Sequence, residues 1–112
     1  GKVQLVPKSV SDRDNDREVS LDAFSKSIAG KISFVKMDIE GSELKGLHGA
    51  AQVIKRDHPI LAISAYHRQE DLIELPSYIK TFDDGNTEYK LYLRHHGICA
   101  YELVLYGIPE VR

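Results

Sequence analysis

Between Ile32 and Met37 the residues are β-branched, aromatic or aliphatic with almost no interruption. From Leu44 onward the apolar positions recur at helical spacing, at Leu44, Leu47, Ala51 and Ile54. The first pattern predicts a buried strand and the second a single helix of about four turns, with the change of period falling at Gly41. Between them lies Asp38-Ile39-Glu40-Gly41-Ser42-Glu43. Gly41 permits a tight turn, Ser42 is placed to cap the helix, and Glu43 suits the positive end of its dipole. Lys55 and Arg56 suit the negative end. Pro59 then breaks the chain, and Ile60 to His67 is apolar on both faces, as a strand inside a parallel sheet is. Two parallel strands joined through a helix predict a right-handed βαβ crossover, which brings Asp38, Glu40 and His67 to the carboxyl ends of neighbouring strands.

A second amphipathic stretch begins at Gln69-Glu70-Asp71 and turns Leu72, Leu75, Ile79 and Phe82 inward, with Pro76 at a kink or restart. Asp83-Asp84-Gly85-Asn86 is a turn. Tyr89 to Arg94 and Tyr101 to Tyr106, separated by a segment containing Gly97, predict an antiparallel hairpin. Upstream, Val3 to Val6 alternates like a short strand that Pro7 ends at an edge. Ser9 to Glu18 is polar enough to be an exposed loop. Val19 to Phe24 leads into a short helix in which Phe24 and Ile28 share a face and which Gly30 ends. The expected organisation is a short strand and exposed loop over 1–18, then one α/β domain over 19–112.

A chain of 112 residues with 15 Lys plus Arg against 17 Asp plus Glu carries a formal charge of −2. Such a balance supplies no basic field for nucleic acid or an anionic membrane. No apolar run approaches the ~20 residues of a membrane span. The lone cysteine, Cys99, excludes an internal disulfide and a cysteine-only zinc site, and it fits a reducing compartment, so a cytoplasmic setting is expected. Asp12, Asp14 and Asp16 are spaced like cation ligands, but Arg13 and Arg17 intervene, and the glycine and distal glutamate of a calcium loop are missing, which favours a solvated loop. Asp38, Glu40 and His67 are the candidates for chemistry: they could act as a general base or hold a divalent metal that lowers the pKa of a hydroxyl. The competing structural reading has Asp38 and Glu40 accepting backbone N–H groups at the helix start. Adjacent strand residues face opposite ways, so His95 and His96 cannot both join such a site. His48 reads as a flank of the buried helix face, and the strand tyrosines as sheet residues.

Val35-Lys36-Met37-Asp38-Ile39-Glu40-Gly41-Ser42-Glu43-Leu44, followed by Leu47-His48-Gly49-Ala50, resembles the signature of the FkbM-type methyltransferases. Tyr66 to Leu72, Tyr89 to His96 and Glu102 to Tyr106 resemble the second half of that family, so the likeness runs from about Val19 to Pro109. It implies an S-adenosylmethionine-dependent enzyme that methylates a hydroxyl on a small-molecule acceptor, built on a class I methyltransferase (Rossmann-like) sheet. This chain would supply its carboxyl-terminal half, four main strands in the order 4-5-7-6 of the family's count, with the last strand antiparallel between its predecessors. The glycine-rich turn and second-strand acid that hold the donor in such enzymes have no counterpart here, so the chain alone is expected to be inactive. The alternatives are a non-catalytic assembly module derived from such an enzyme and, more remotely, a metal-dependent hydrolase using Asp38, Glu40 and His67. An apolar strand over Ser33 to Met37 that lacks its second neighbour predicts a homo-oligomer formed through that edge, or the return of Val3 to Val6 to cover it.

Overall fold

The computed structural model describes residues 3–97 and 103–112, so Cys99 and Tyr101 lie outside the described residues. Four strands form one mixed sheet: β3 (Phe34–Met37), β4 (Ile60–Ser64), β5 (Thr87–His95) and β6 (Leu103–Val111), in the spatial order β3-β4-β6-β5. β3 and β4 run parallel with Phe34 opposite Ile60, whereas β6 is antiparallel to both β4 and β5. β5 and β6 are longer than their β-rich cores at Tyr89 and Tyr106, since pairing extends from Thr87–Val111 to His95–Leu103. β4 lies between two partners and is buried from Leu61 to Ser64, as its two-sided apolar sequence requires.

One face of the sheet carries the core. Val35, Met37, Leu61, Ile63, Leu105 and Tyr89 pack there against Leu47, Ile54, Leu75 and Ile79 of the helices. Burying this many aliphatic side chains, at roughly 1.5–3 kcal/mol each, is the main force holding helices to sheet. Tyr89 is fully buried and donates from its hydroxyl to the Pro59 carbonyl at 2.7 Å, so its polar end is matched inside the core. Burial alone drives that phenol's pKa strongly upward. The opposite face is more open: Phe34 and Tyr92 are exposed on it.

Three local expectations fail, at Val3 to Val6, in α1 and in α4, while Asp12 to Arg17 are exposed as a solvated loop. Val3 to Val6 forms no strand, and Val3 and Leu5 are exposed; among the described residues no partner strand pairs with it, and an unpaired strand has no ladder to hold it. The loop that follows is tied down by a parallel pair, β1 (Ser9–Val10) with β2 (Glu18–Val19), and by Asp14, which accepts from the Ser20 N–H at 2.9 Å. Helix α1 (Leu21–Ser25) ends before Ile28, which is exposed. In α4 (Asp71–Lys80) Pro76 is accommodated within the helix, but Leu72 faces outward and leaves Leu75 and Ile79 as its buried apolar positions.

The expected long helix is two: α2 (Glu43–His48) and α3 (Ala51–Asp57). Gly49 passes so close to the amino-terminal segment that an added Cβ would sit 2.1 Å from the Ser11 carbonyl oxygen. The Gly49 carbonyl accepts from the Asp22 N–H at 2.8 Å, and the Asp22 carboxylate accepts from the Gln52 and Val53 N–H groups at 3.1 and 2.9 Å. α3 thus takes its amino-terminal cap from another helix, satisfying donors that would otherwise be orphaned. At its far end Asp57 accepts from Arg56 and from the Ile32 N–H at 2.9 Å, which fixes the approach to β3. The Arg56 guanidinium, and then that N–H, hold the Asp57 pKa far below the usual carboxylate range.

Gly49→Ala should therefore destabilise the chain by about 2–3 kcal/mol, the cost of overpacking against rigid backbone. Gly85→Ala, which would meet nothing within 4 Å, serves as the comparison in urea titrations and should leave the midpoint nearly unchanged.

Candidate active site

β3 ends at Met37, and the chain then turns through Asp38-Ile39-Glu40-Gly41 into α2. Glu40 and Gly41 both have positive φ, 57° and 93°. Gly41 adopts this freely, while Glu40 is held there at a cost of about 1–2 kcal/mol. What holds it is Glu43. Its side chain, fully shielded from solvent, reaches back under the turn: Oε2 accepts from the Ile39 N–H at 2.6 Å and Oε1 from the Gly41 N–H at 3.1 Å. Ser42, placed by sequence to cap α2, makes no side-chain cap bond.

The backbone network expected of Asp38 and Glu40 thus belongs to Glu43, which frees the other two acids. Asp38 is 49% exposed and Glu40 86% exposed. His67 lies three residues beyond β4 rather than at its end, and its side chain is only 10% exposed. Nδ1 is 3.4 Å from Glu43 Oε2, and Nε2 is 3.6 Å from Asp38 Oδ1 and 3.5 Å from Glu40 Oε2. None of these contacts is a hydrogen bond, so both ring nitrogens are buried without one. The Tyr66 ring lies against the imidazole at 4.0 Å between centroids, and its hydroxyl donates to Asp38 Oδ1 at 3.1 Å. Burial, then that bond and the surrounding acids, raise the Tyr66 pKa.

Asp38, Glu40 and His67 each place one ligand-capable atom within 4.8 Å of the others. Among the described residues Asp12, Asp14 and Asp16 form no such group. His48 is stacked on Tyr78 at 4.3 Å, away from these side chains. His96 meets the Tyr106 hydroxyl at 2.7 Å across the open sheet face. There a shallow crevice of about 460 Å³ runs past Ser64 and Tyr66 to Asp38, within the size range of small-molecule sites.

Sequence reasoning missed three participants. Glu43 reads as an ordinary first-turn acid, although a helix-start glutamate reaching back to backbone donors is capping-box chemistry and could have marked it. Tyr66 reads as a sheet residue because its partner is 28 positions away. Asp71, at the start of α4, is fully buried with neither oxygen hydrogen-bonded and with Arg68 Nη1 3.8 Å away; burial raises its pKa. No local pattern distinguishes it from a solvated helix-start acid.

The sequence model of the Methyltransferase FkbM domain matches residues 4–97. A crystal structure of methyltransferase FkbM from Methylobacillus flagellatus KT is similar to this fold with a TM-score of 0.69 and 41% sequence identity. The match covers 80% of this chain and 22% of that one, so the chain spans about a fifth of that relative's length. No curated protein is significantly similar to the sequence.

Glu43→Gln should destabilise the chain by about 2–3 kcal/mol, since an amide cannot accept from both buried N–H groups. Glu40→Gln, at an exposed side chain, should shift stability by less than about 0.5 kcal/mol. Urea titration of the two variants side by side checks the contrast.

Proposed function

Since the chain belongs to the FkbM methyltransferase family, we propose that it forms the acceptor-side half of an S-adenosylmethionine-dependent O-methyltransferase. In this reading its four strands are strands 4, 5, 7 and 6 of a class I methyltransferase sheet. The observation that carries the proposal is the convergence of Asp38, Glu40 and His67 at the carboxyl ends of two adjacent parallel strands, where open α/β sheets place their ligands. The acceptor is a small molecule bearing a hydroxyl group, seated in the crevice that leads to Asp38. A hydroxyl oxygen that takes a methyl group must lose its proton, and a cluster of acids and an imidazole is suited to assist that loss, a contribution worth about 10²–10⁴ in rate.

S-adenosylmethionine supplies the methyl group in such enzymes, and the residues of this chain do not fit its binding. No Gly-x-Gly turn occurs in the sequence. The glycine at the one strand-to-helix turn of the site, Gly41, has its N–H engaged by Glu43 and lies against the His67 and Arg68 side chains. The reading therefore assigns donor binding to residues outside this chain. Calorimetry should find no submicromolar binding of S-adenosylhomocysteine to the chain. In the longer enzyme Asp38→Asn and Glu40→Gln should lower kcat about 100-fold or more with little change in Tm. Equal losses of activity and stability would return both acids to a structural role.

Among the described residues β3 has one unpaired edge, which favours a second property of the isolated chain. β3 is an outer strand, and beside it Val6, Val10, Val19, Phe24, Val35 and Met37 line an apolar cleft of about 240 Å³. Unpaired strand edges of this kind are templates for another chain. We propose that the isolated chain forms a homodimer through Phe34–Met37, which light scattering should detect; a monomer at high micromolar concentration would count against it.

A further inference from the structure

One ligand-capable atom from each of Asp38, Glu40 and His67 lies within 4.8 Å of the others, with His67 Nε2 3.6 Å from Asp38 Oδ1 and 3.5 Å from Glu40 Oε2. His67 is oriented by its other nitrogen. Nδ1 faces the Glu43 carboxyl oxygen at 3.4 Å, an acceptor already fixed by the Ile39 N–H. With the ring proton on Nδ1, facing that carboxylate, the Nε2 lone pair points toward Asp38 and Glu40. The ring is nine-tenths buried, and Nε2 has no hydrogen bond. Tyr66 gives one hydrogen bond to Asp38 Oδ1, and the guanidinium of the adjoining Arg68 is paired instead with Glu74, Glu70 and Asp71.

Resting on the functional reading above, we propose that Asp38, Glu40 and His67 Nε2 bind a divalent transition-metal cation. Ligand atoms held about 2.1 Å from an ion in tetrahedral array lie about 3.4 Å apart. The imidazole nitrogen is 3.6 Å from the Asp38 oxygen and 3.5 Å from the Glu40 oxygen, so both pairs already have nearly that spacing. Asp38 and Glu40 are exposed and adjust by rotamer. Two carboxylates with one imidazole suit manganese or zinc better than calcium, which takes oxygen ligands alone. Glu43 behind Nδ1 is the outer carboxylate that metal-bound histidines commonly carry, setting tautomer and ring orientation. The remaining coordination positions open toward the crevice, where an acceptor hydroxyl oxygen would join as a further ligand. The strained backbone at Glu40 then has a use, since it turns the second carboxylate toward the ion.

Titration of the full chain with MnCl₂, followed by calorimetry and by electron paramagnetic resonance of the free ion, tests the site. One Mn²⁺ per chain is expected, with affinity at least tenfold weaker in Asp38→Asn and in Glu40→Gln and unchanged in Asp16→Asn. Glu40→Gln keeps the test valid even if changes at the buried His67 disturb folding. Absence of binding, or binding indifferent to both site variants, would overturn the proposal. The readout is separate from methyl transfer. Activity lost in Asp38→Asn of the longer enzyme without any Mn²⁺ binding removes the cation and leaves the functional reading. Mn²⁺ binding with undiminished turnover in that variant upholds the cation site and removes the functional reading.

Discussion

A carboxyl group sealed from water must find its hydrogen bonds within the protein, and for Glu43 those partners are the Ile39 and Gly41 N–H groups, with His67 Nδ1 in contact at 3.4 Å. Meeting that requirement shapes the whole junction between β3 and α2. It draws the turn tight enough to force Glu40 into the left-handed region, and it fixes where α2 starts. Because Glu43 occupies the interior of the turn, Asp38 and Glu40 project from its outer side. The same oxygen that accepts from Ile39 faces the imidazole, so backbone geometry and the orientation of His67 are set by one side chain. Strain at Glu40 is affordable only because the two backbone hydrogen bonds and the packing around them over-determine the turn.

Farther from the turn, the amino-terminal segment controls the helical layer. Ser11 presses on Gly49, and Asp22 caps α3. The resulting break lets α2 and α3 follow the sheet separately, with Leu47 from one and Ile54 from the other reaching the same core. Asp57 then connects the end of α3 to the start of the β3 region through Ile32. A closed circuit runs from α1 through α3 to β3 and back through Glu43 to α2, so the position of the acidic turn is supported from both sides.

Family membership and geometry bear on different parts of the functional question. Membership rests on residues 4–97 and on a relative of which this chain spans a fifth, and it identifies the family. What the local geometry adds is a division of labour among four side chains, three from the acidic turn and one from beyond β4: Glu43 holds the turn, His67 lies buried against it, and Asp38 and Glu40 are exposed. The open sheet face and the unpaired strand edge belong to the same picture, since among the described residues no layer covers them.

Read as a sequence, the chain already specifies the α/β class, the parallel pair around the acidic turn, the buried central strand and the hairpin. These are encoded in periodicity over five or more consecutive residues, and periodicity reports which face of an element is buried whatever it packs against. The same reading brings Asp38, Glu40 and His67 into one crevice, because strand ends and a parallel crossover fix that to within a few ångströms. Only the tertiary structure decided that Glu43 rather than Asp38 and Glu40 satisfies the turn, that Asp22 divides the long helix, that Val3 to Val6 is no strand, and that Tyr66 holds Asp38. Each of these depends on a contact between residues remote in sequence, or on whether a side chain's rotamer turns it inward or out. A pattern of apolar and polar positions records how each residue prefers to be solvated, and it carries no record of which distant partner satisfies it.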